Sequence, residues 1–356
     1  NTGEGNHTAI GMQSLTANTT GNNNTGVGHK TLFSNTTGGS HTAVGDNALY
    51  WNTTGGSCTA VGRSALLKNT TGNYNVAVGT FTGQQNTTGS ENTSIGYSAL
   101  NLNTTGNSNT AVGFGSLDAN TTADANTGVG YASLGANTTG ASNVAVGAYA
   151  LDANTTADNN TAIGRSALGA NTDGHSNTAV GAYAGDAITT GDRNTVFGHD
   201  AGSSLVEGSD NTLIGQLAGN ATAGSHNTAV GQQALEVNST GASNTALGKQ
   251  ALEANTTASY NVAVGIECLR NNTTGSPHVA VGAFALDANT TGTGHVAVGA
   301  NALGACTTGD RNTAVGEKAL LSVTTGVNNT AIGSLAGDSL TTGDNNIYIG
   351  RESDSS

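Results

Sequence analysis

Histidine, cysteine and grouped carboxylates are the side chains with which a chain can hold a metal or run acid–base chemistry. This 356-residue sequence has 8 His, 3 Cys and 23 acidic residues. His278 and His295 are 17 residues apart, as are no other two histidines. If that spacing is one turn of a stacked structure, their rings lie about 5 Å apart, close enough in principle to share a metal. Nothing nearby supplies a third ligand. Asp118, Asp152, Glu236 and Asp287 do not recur with the regularity that calcium-binding repeats require. No nucleophile, base and orienting acid recur together, and no strand-to-helix context surrounds the glycines that would let them cradle phosphate. The expectation is a protein without catalytic residues, cofactor or metal. The other chemical signal is Asn-x-Ser/Thr, which occurs twenty times. Thirteen of these asparagines fall at one spacing: Asn18, Asn35, Asn52, Asn69, Asn86, Asn103, Asn120, Asn137, Asn154, Asn238, Asn255, Asn272 and Asn289. They are candidate N-glycan acceptors in a secretory context. N-T-T-G is also a turn sequence, and acceptors on successive coils would be only about 4.8 Å apart.

That spacing belongs to the whole chain. A glycine following a branched residue recurs every 17 residues at Gly11, Gly28, Gly45, Gly62, Gly79, Gly96, Gly113 and onward to Gly215. After a single interval of 16 it resumes at Gly231 and continues to Gly350. With this glycine as position 0, the consensus is N-T-A-V-G at −4 to 0, A-L at +3 and +4, and N-T-T-G at +7 to +10. Units this short cannot fold alone and bury their apolar atoms on their neighbours. Asn, Thr, Gly and Val disfavour helix. The expectation is an all-β, parallel β-solenoid of about 21 coils, a single continuous repeat domain over residues 1–356. Two strands of four or five residues per coil, stacked at about 4.8 Å, would make a rod on the order of 100 Å long.

Each repeat position has an expected task. The marker glycine sets a corner, through a positive φ or a backbone contact without room for Cβ. Asn at −4, as in Asn24, Asn75, Asn92, Asn109 and Asn126, forms a hydrogen-bonded ladder along the coils, with imidazole replacing amide at His7, His41, His278 and His295. Position −1, always Val, Ile, Leu or Phe, is expected to point inward, and the small residue at −2 outward against a second copy. Leu at +4 gives way to Gly185, Gly202 and Gly337 where Ile188, Leu205 and Leu340 occupy +7, which suggests that +4 and +7 share one internal space. Cys58 and Cys268 are twelve coils apart, about 58 Å. Cys268 and Cys306 lie at different points of the circuit, so no intrachain disulfide is expected.

The strings N-T-A-I-G at 160–164, N-T-A-V-G at 312–316 and N-N-I-Y-I-G at 345–350, alternating with A-L-x-x-N-T-T-G, resemble repeats of bacteriophage tail-fibre and trimeric-adhesin surface proteins. The core is also similar to the shorter repeats of trimeric autotransporter adhesin heads. The resemblance covers the whole chain. It implies a left-handed β-roll, commonly a homotrimer or filament, in extracellular or surface-attached fibres. The unit here is longer than the adhesin-head repeat, so single-chain solenoid and trimer both stay open.

Composition narrows the function classes. Aromatic residues make up 4% and charged residues 9%, with 10 basic against 23 acidic and a net charge of −13. A thick enzyme core and the clustered cations of a nucleic-acid reader are both missing from such a chain. No apolar run approaches the roughly 20 residues of a bilayer-spanning helix, and no signal sequence opens the chain. Because the repeat is already running at Asn1, which is no initiator Met, the sequence reads as a processed or excised segment. The expected function is a non-enzymatic fibre or adhesin shaft that self-associates, with cell-surface glycans as a candidate ligand and neither nucleic acid nor membrane as a partner. The alternative is a repetitive-surface binder of ice or glycan, in which Asn +7 and Thr +9 would form parallel outward rows.

Overall fold

The computed structural model describes residues 5–354, and the chain divides into two compact units, Asn1–Ser176 and Asn177–Ser356. Both are parallel β-solenoids with one three-residue strand in each coil. The first unit contains β1 (Thr8–Ile10) to β10 (Thr161–Ile163), and the second β11 (Thr178–Val180) to β21 (Ile347–Ile349). Consecutive strands pair in register one repeat apart, as in Thr42↔Thr59 and Val298↔Val315. The 16-residue repeat keeps this register, with Thr212 opposite Thr228. There the asparagine at −4, Asn211, reaches the carbonyl of Gly224 thirteen residues on, where its equivalents reach fourteen. The missing residue has therefore come out of the Thr-Thr turn.

The strands are shorter than the four or five residues expected, and there is one per coil. The reason lies in the backbone. Besides the marker glycine, positions +2, +4 and +12 turn through the left-handed region, as Asn47 (φ 57°), Leu49 (φ 50°) and Ser57 (φ 55°) do in one coil. Extended structure cannot continue through such residues. Yet the turns are laddered too, since Leu49 N–H donates to Ala65 O (3.0 Å) and Thr53 N–H to Thr70 O (2.9 Å). These inter-coil bonds offset the roughly 1–2 kcal/mol that a non-glycine residue spends in this conformation.

The marker glycines combine both expected constraints. Gly45 has φ 126°, and a Cβ there would sit 2.6 Å from the carbonyl oxygen of Gly62 on the next coil.

The faces of the strand are the reverse of the expectation. Position −2 points inward: Ala43, Ala60, Ala111 and Ala145 are completely buried. Position −1 points outward, with Val146 37% and Ile163 41% exposed. The interior must also hold Ala +3, Leu +4 and the asparagines at −4 and +7, all buried in the regular coils. That leaves room for a methyl group at −2 and no more. The Ala row is therefore core and is not available to a second chain.

Departures at −2 confirm the shared volume. Val196 and Leu213 are buried at −2, flanked by glycine at +4 in their own coil and in the one before: Gly185 and Gly202 around Val196, Gly202 and Gly219 around Leu213. A Cβ on Gly219 would lie 2.6 Å from Leu213 Cδ2, and one on Gly202 2.9 Å from its Cδ1. Large residues at −2 thus exchange with +4, and +7 borders the same space, since a Cβ on Gly219 would also lie 3.1 Å from Thr222 Oγ1. Val323 and Cys306 are buried at +7 while Leu320 and Leu303 keep +4. Where −2 is glycine, at Gly26 and Gly128, the space goes to hydroxyls at +3, with Ser14 bonded to Thr31 (2.8 Å) and Ser116 to Ser133 (2.9 Å).

Candidate functional site

Two rows of carboxamides run through the interior. In the expected ladder at −4, Asn75 accepts at Oδ1 from the amide of Asn92 (3.0 Å) and donates from Nδ2 to Gly89 O (2.8 Å). Asn24, Asn92, Asn109 and Asn126 make the equivalent pair of bonds. The second row is at +7 and was not foreseen as a ladder. Asn52 Nδ2 donates to Asn35 Oδ1 (2.7 Å) and to Gly55 O (3.1 Å), and Asn69 Nδ2 donates to Asn52 Oδ1 (2.8 Å). Both rows meet at position +10: Gly89 O takes Nδ2 of Asn75 and of Asn86, each at 2.8 Å. A buried carboxamide costs free energy unless its donors and acceptor are satisfied, and here the stacking of coils satisfies them.

This geometry corrects the acceptor reading of Asn18, Asn35, Asn52, Asn69, Asn86, Asn103, Asn120, Asn137, Asn154, Asn238, Asn255, Asn272 and Asn289. All thirteen are buried, and a glycan on Nδ2 would displace the ladder from inside the coil. The same burial removes the outward Asn +7 row required by the proposed ice-binding array, since only Thr +9, such as Thr54, faces out. The run in the second unit ends where Cys306 follows Asn289 at +7, and Asn289 Oδ1 has no hydrogen-bond donor. Asn171, the last of the run in the first unit, also has an Oδ1 without a donor.

The histidines act as amides. His41 Nδ1 accepts from Cys58 N–H (3.2 Å), which places the proton on Nε2, and Nε2–H donates to Gly55 O (2.7 Å). His278 and His295 stack at 5.2 Å with planes 11° apart, and their Nδ1 atoms accept from the amides of His295 and Asn312 (3.2 Å each). Their Nδ1 atoms are thus committed to the backbone, while Nε2 of His278 lies against Asn289 Nδ2 (3.2 Å) and that of His295 against Cys306 Sγ (3.8 Å). Burial lowers all three histidines below the ordinary imidazole value, His278 to about 3, with the repulsion that a proton there would meet from a protonated His295 as a second cause. Cys58, Cys268 and Cys306 are free and buried, and burial pushes their thiols up to about 11, 12 and 11.

Outside, the sheet face carries Thr or Val at −3 and the branched row at −1. In the first unit an aromatic ladder follows the corner: Tyr97, Phe114 and Tyr131 stack at 5.2 and 5.3 Å, with Phe81 and Tyr149 edge-on at either end. Their faces cover one another, so the surface receives ring edges. On the adjacent flank, side chains at +6 and +8 stand outward on either side of the buried +7 amides. Trp51 at +6 and Thr53, Thr70 and Thr87 at +8 border an open cleft of about 330 Å³ with Lys68. The sequence reading had singled out neither feature. Among the described residues no group of three His, Cys, Asp or Glu is placed to hold a metal, and no helix is long and apolar enough to cross a membrane.

Fold and ladders together define a β-solenoid repeat protein with a partly polar core crossed by rows of carboxamides. No protein-family model matches the chain, and no curated protein matches it.

Proposed function

We propose that this chain is a non-enzymatic structural element, a segment of an extracellular or surface-attached fibre or adhesin shaft that associates with copies of itself. The observation that supports this reading is that within each unit all hydrogen-bond rows run in one direction. The main chain, the −4 amides, the +7 amides and the Thr +8 hydroxyls, such as Thr53 Oγ1 to Thr70 O (3.0 Å), each join a coil to the next. Pulling along that direction loads many bonds of one coil interface at once, which suits a load-carrying element. For self-association the candidate surface is the −3/−1 face, whose exposed Val78, Ile95, Val146 and Ile163 form the kind of apolar stripe that marks an interface. Native mass measurement tests the association, with Val146→Glu and Ile163→Lys as interface variants. A homotrimer or filament that these variants dissociate supports it, and a wild-type monomer refutes it. Stretching single molecules between their ends tests the load-carrying reading. Stepwise coil-by-coil release at low force refutes it.

A second reading, ordered-array binding to ice, is favoured by the outward Thr at −3 on a parallel sheet, as in Thr93, Thr110 and Thr127. Thermal hysteresis in the purified protein tests it, and freezing without hysteresis removes it.

A further inference from the structure

The repeat fills +6 with a small or short polar residue in most coils, as at Ala17, Ser34, Ala119, Ala136 and Ala153. It departs from this in four successive coils, with Trp51, Lys68, Gln85 and Leu102, and again at Val237; Trp51 and Lys68 are the two of these that line the cleft. Trp51 is 51% exposed although it is the chain's sole tryptophan and a large apolar group. It is held from behind by Tyr50, edge-on at 4.8 Å, which in turn stacks on Phe33 at 5.0 Å. The indole is therefore a braced wall of the cleft. The Thr +8 row also lines it. Thr53, Thr70 and Thr87 spend their hydroxyl protons on the carbonyls of Thr70, Thr87 and Thr104 (3.0, 2.9 and 2.9 Å), so each oxygen keeps lone pairs free to accept. Lys68 is exposed and takes part in none of the ion pairs formed among the described residues.

We propose that this cleft is a binding subsite for an acidic sugar unit of a polysaccharide, a uronic acid in pyranose form. The ring's C–H face would lie on the indole of Trp51, its hydroxyls would donate to the Thr oxygens, and its carboxylate would pair with Lys68. An apolar ligand would leave the acceptor row and the ammonium unused, and a neutral sugar would leave the ammonium unused. Because the Thr row repeats once per coil, about 4.8 Å, successive sugar units of a chain lying along the stack would meet equivalent acceptors. The proposal stands apart from the shaft reading.

The sole tryptophan reports its own site. Titration of the whole chain with trigalacturonate, followed by Trp fluorescence and by calorimetry, should give a saturable change that weakens with salt. Neutral maltotriose should bind more weakly. Lys68→Gln should lower trigalacturonate affinity about two- to fivefold, the scale of one exposed ion pair, and leave maltotriose unchanged. Trp51→Ala should abolish the calorimetric signal while far-UV circular dichroism stays that of the wild type. The proposal is overturned by no saturable change with trigalacturonate, by equal affinity for the two sugars that is insensitive to Lys68→Gln, or by undiminished calorimetric binding in folded Trp51→Ala.

Discussion

If −2 and +4 compete for one volume, then altering both together should cost less than the two changes made apart. The coil of Leu213 and Gly219 is the place to measure it. Leu213→Ala removes a side chain that is completely buried and fills the space left by two glycines, so a loss of about 2–5 kcal/mol is expected. Gly219→Leu adds a branched group where even a Cβ meets Leu213 Cδ2 at 2.6 Å, at a cost of about 1–3 kcal/mol in overpacking. It also puts a non-glycine residue at φ 56°, roughly 1–2 kcal/mol more. The double variant rebuilds the Ala −2, Leu +4 pair of the ordinary coil, in which Leu235 and Leu252 accept φ values of 55° and 52°. It should be more stable than the sum of the singles by at least about 2 kcal/mol. Repeat arrays need not unfold in one step, so the assay is hydrogen exchange of β13 (Thr212–Ile214) and β14 (Thr228–Val230), read beside urea unfolding. Additivity within about 0.5 kcal/mol would show that the two positions do not share a space.

Four more outcomes are expected. Ala145→Asp should cost several kcal/mol as a buried unpaired charge, and Val146→Asp under about 1 kcal/mol; thermal melts by circular dichroism in the opposite order would restore −1 to the interior. Asn137→Ala breaks the bonds from Nδ2 to Asn120 Oδ1 (3.1 Å) and Gly140 O (2.9 Å) and removes one of the two acceptors of Asn154 Nδ2, which keeps Ala157 O, about 2–4 kcal/mol by urea titration, whereas Asn289→Ala, whose Oδ1 serves no donor, should cost about one bond less. Because His41, His278 and His295 are held below the ordinary value, the unfolded chain binds their protons first. Their contribution is intact above about pH 6.5 and is lost as pH falls from there toward about 3 for His278. Replacing all three by Asn should therefore flatten the acid limb of a stability–pH curve, and parallel curves for variant and wild type would contradict the burial argument. The half-buried carboxyls of Asp118, Asp152, Asp186 and Asp287, raised by desolvation, act with the opposite sign in both proteins and cancel in the difference. Cys58, Cys268 and Cys306 should resist alkylation until denaturant is added, and prompt native labelling would place a thiol at the surface.

The period and the composition determined the parallel coil by themselves. A 17-residue unit rich in Gly, Asn and Thr has only its neighbours to bury against, and that necessity is local enough to be written in the sequence. The corner at Gly45 was legible for the same reason, since a position without Cβ in every copy has few explanations. So was the Asn75–Asn92 ladder, because identical amides one coil apart must stack. Which side of Val44 and Ala43 faces inward was not legible. A strand alternates its faces whatever lies on either side, and the more apolar row is the natural choice for a core. The choice is made by volume: Leu49 and the carboxamides of Asn52 and Asn75's row already fill the interior, and a methyl is what fits in the remainder. The burial of Asn52 was hidden likewise, because N-T-T-G has the composition of an exposed turn, and only stacked coils supply the donors and acceptors that make its burial tolerable. The left-handed backbone at Leu49 left one trace in the sequence, the glycines at 83, 185, 202, 219 and 337, which read as small residues until the structure gave their φ values of 55–61°. Size and conformation coincide at +4, and tertiary packing alone separates them.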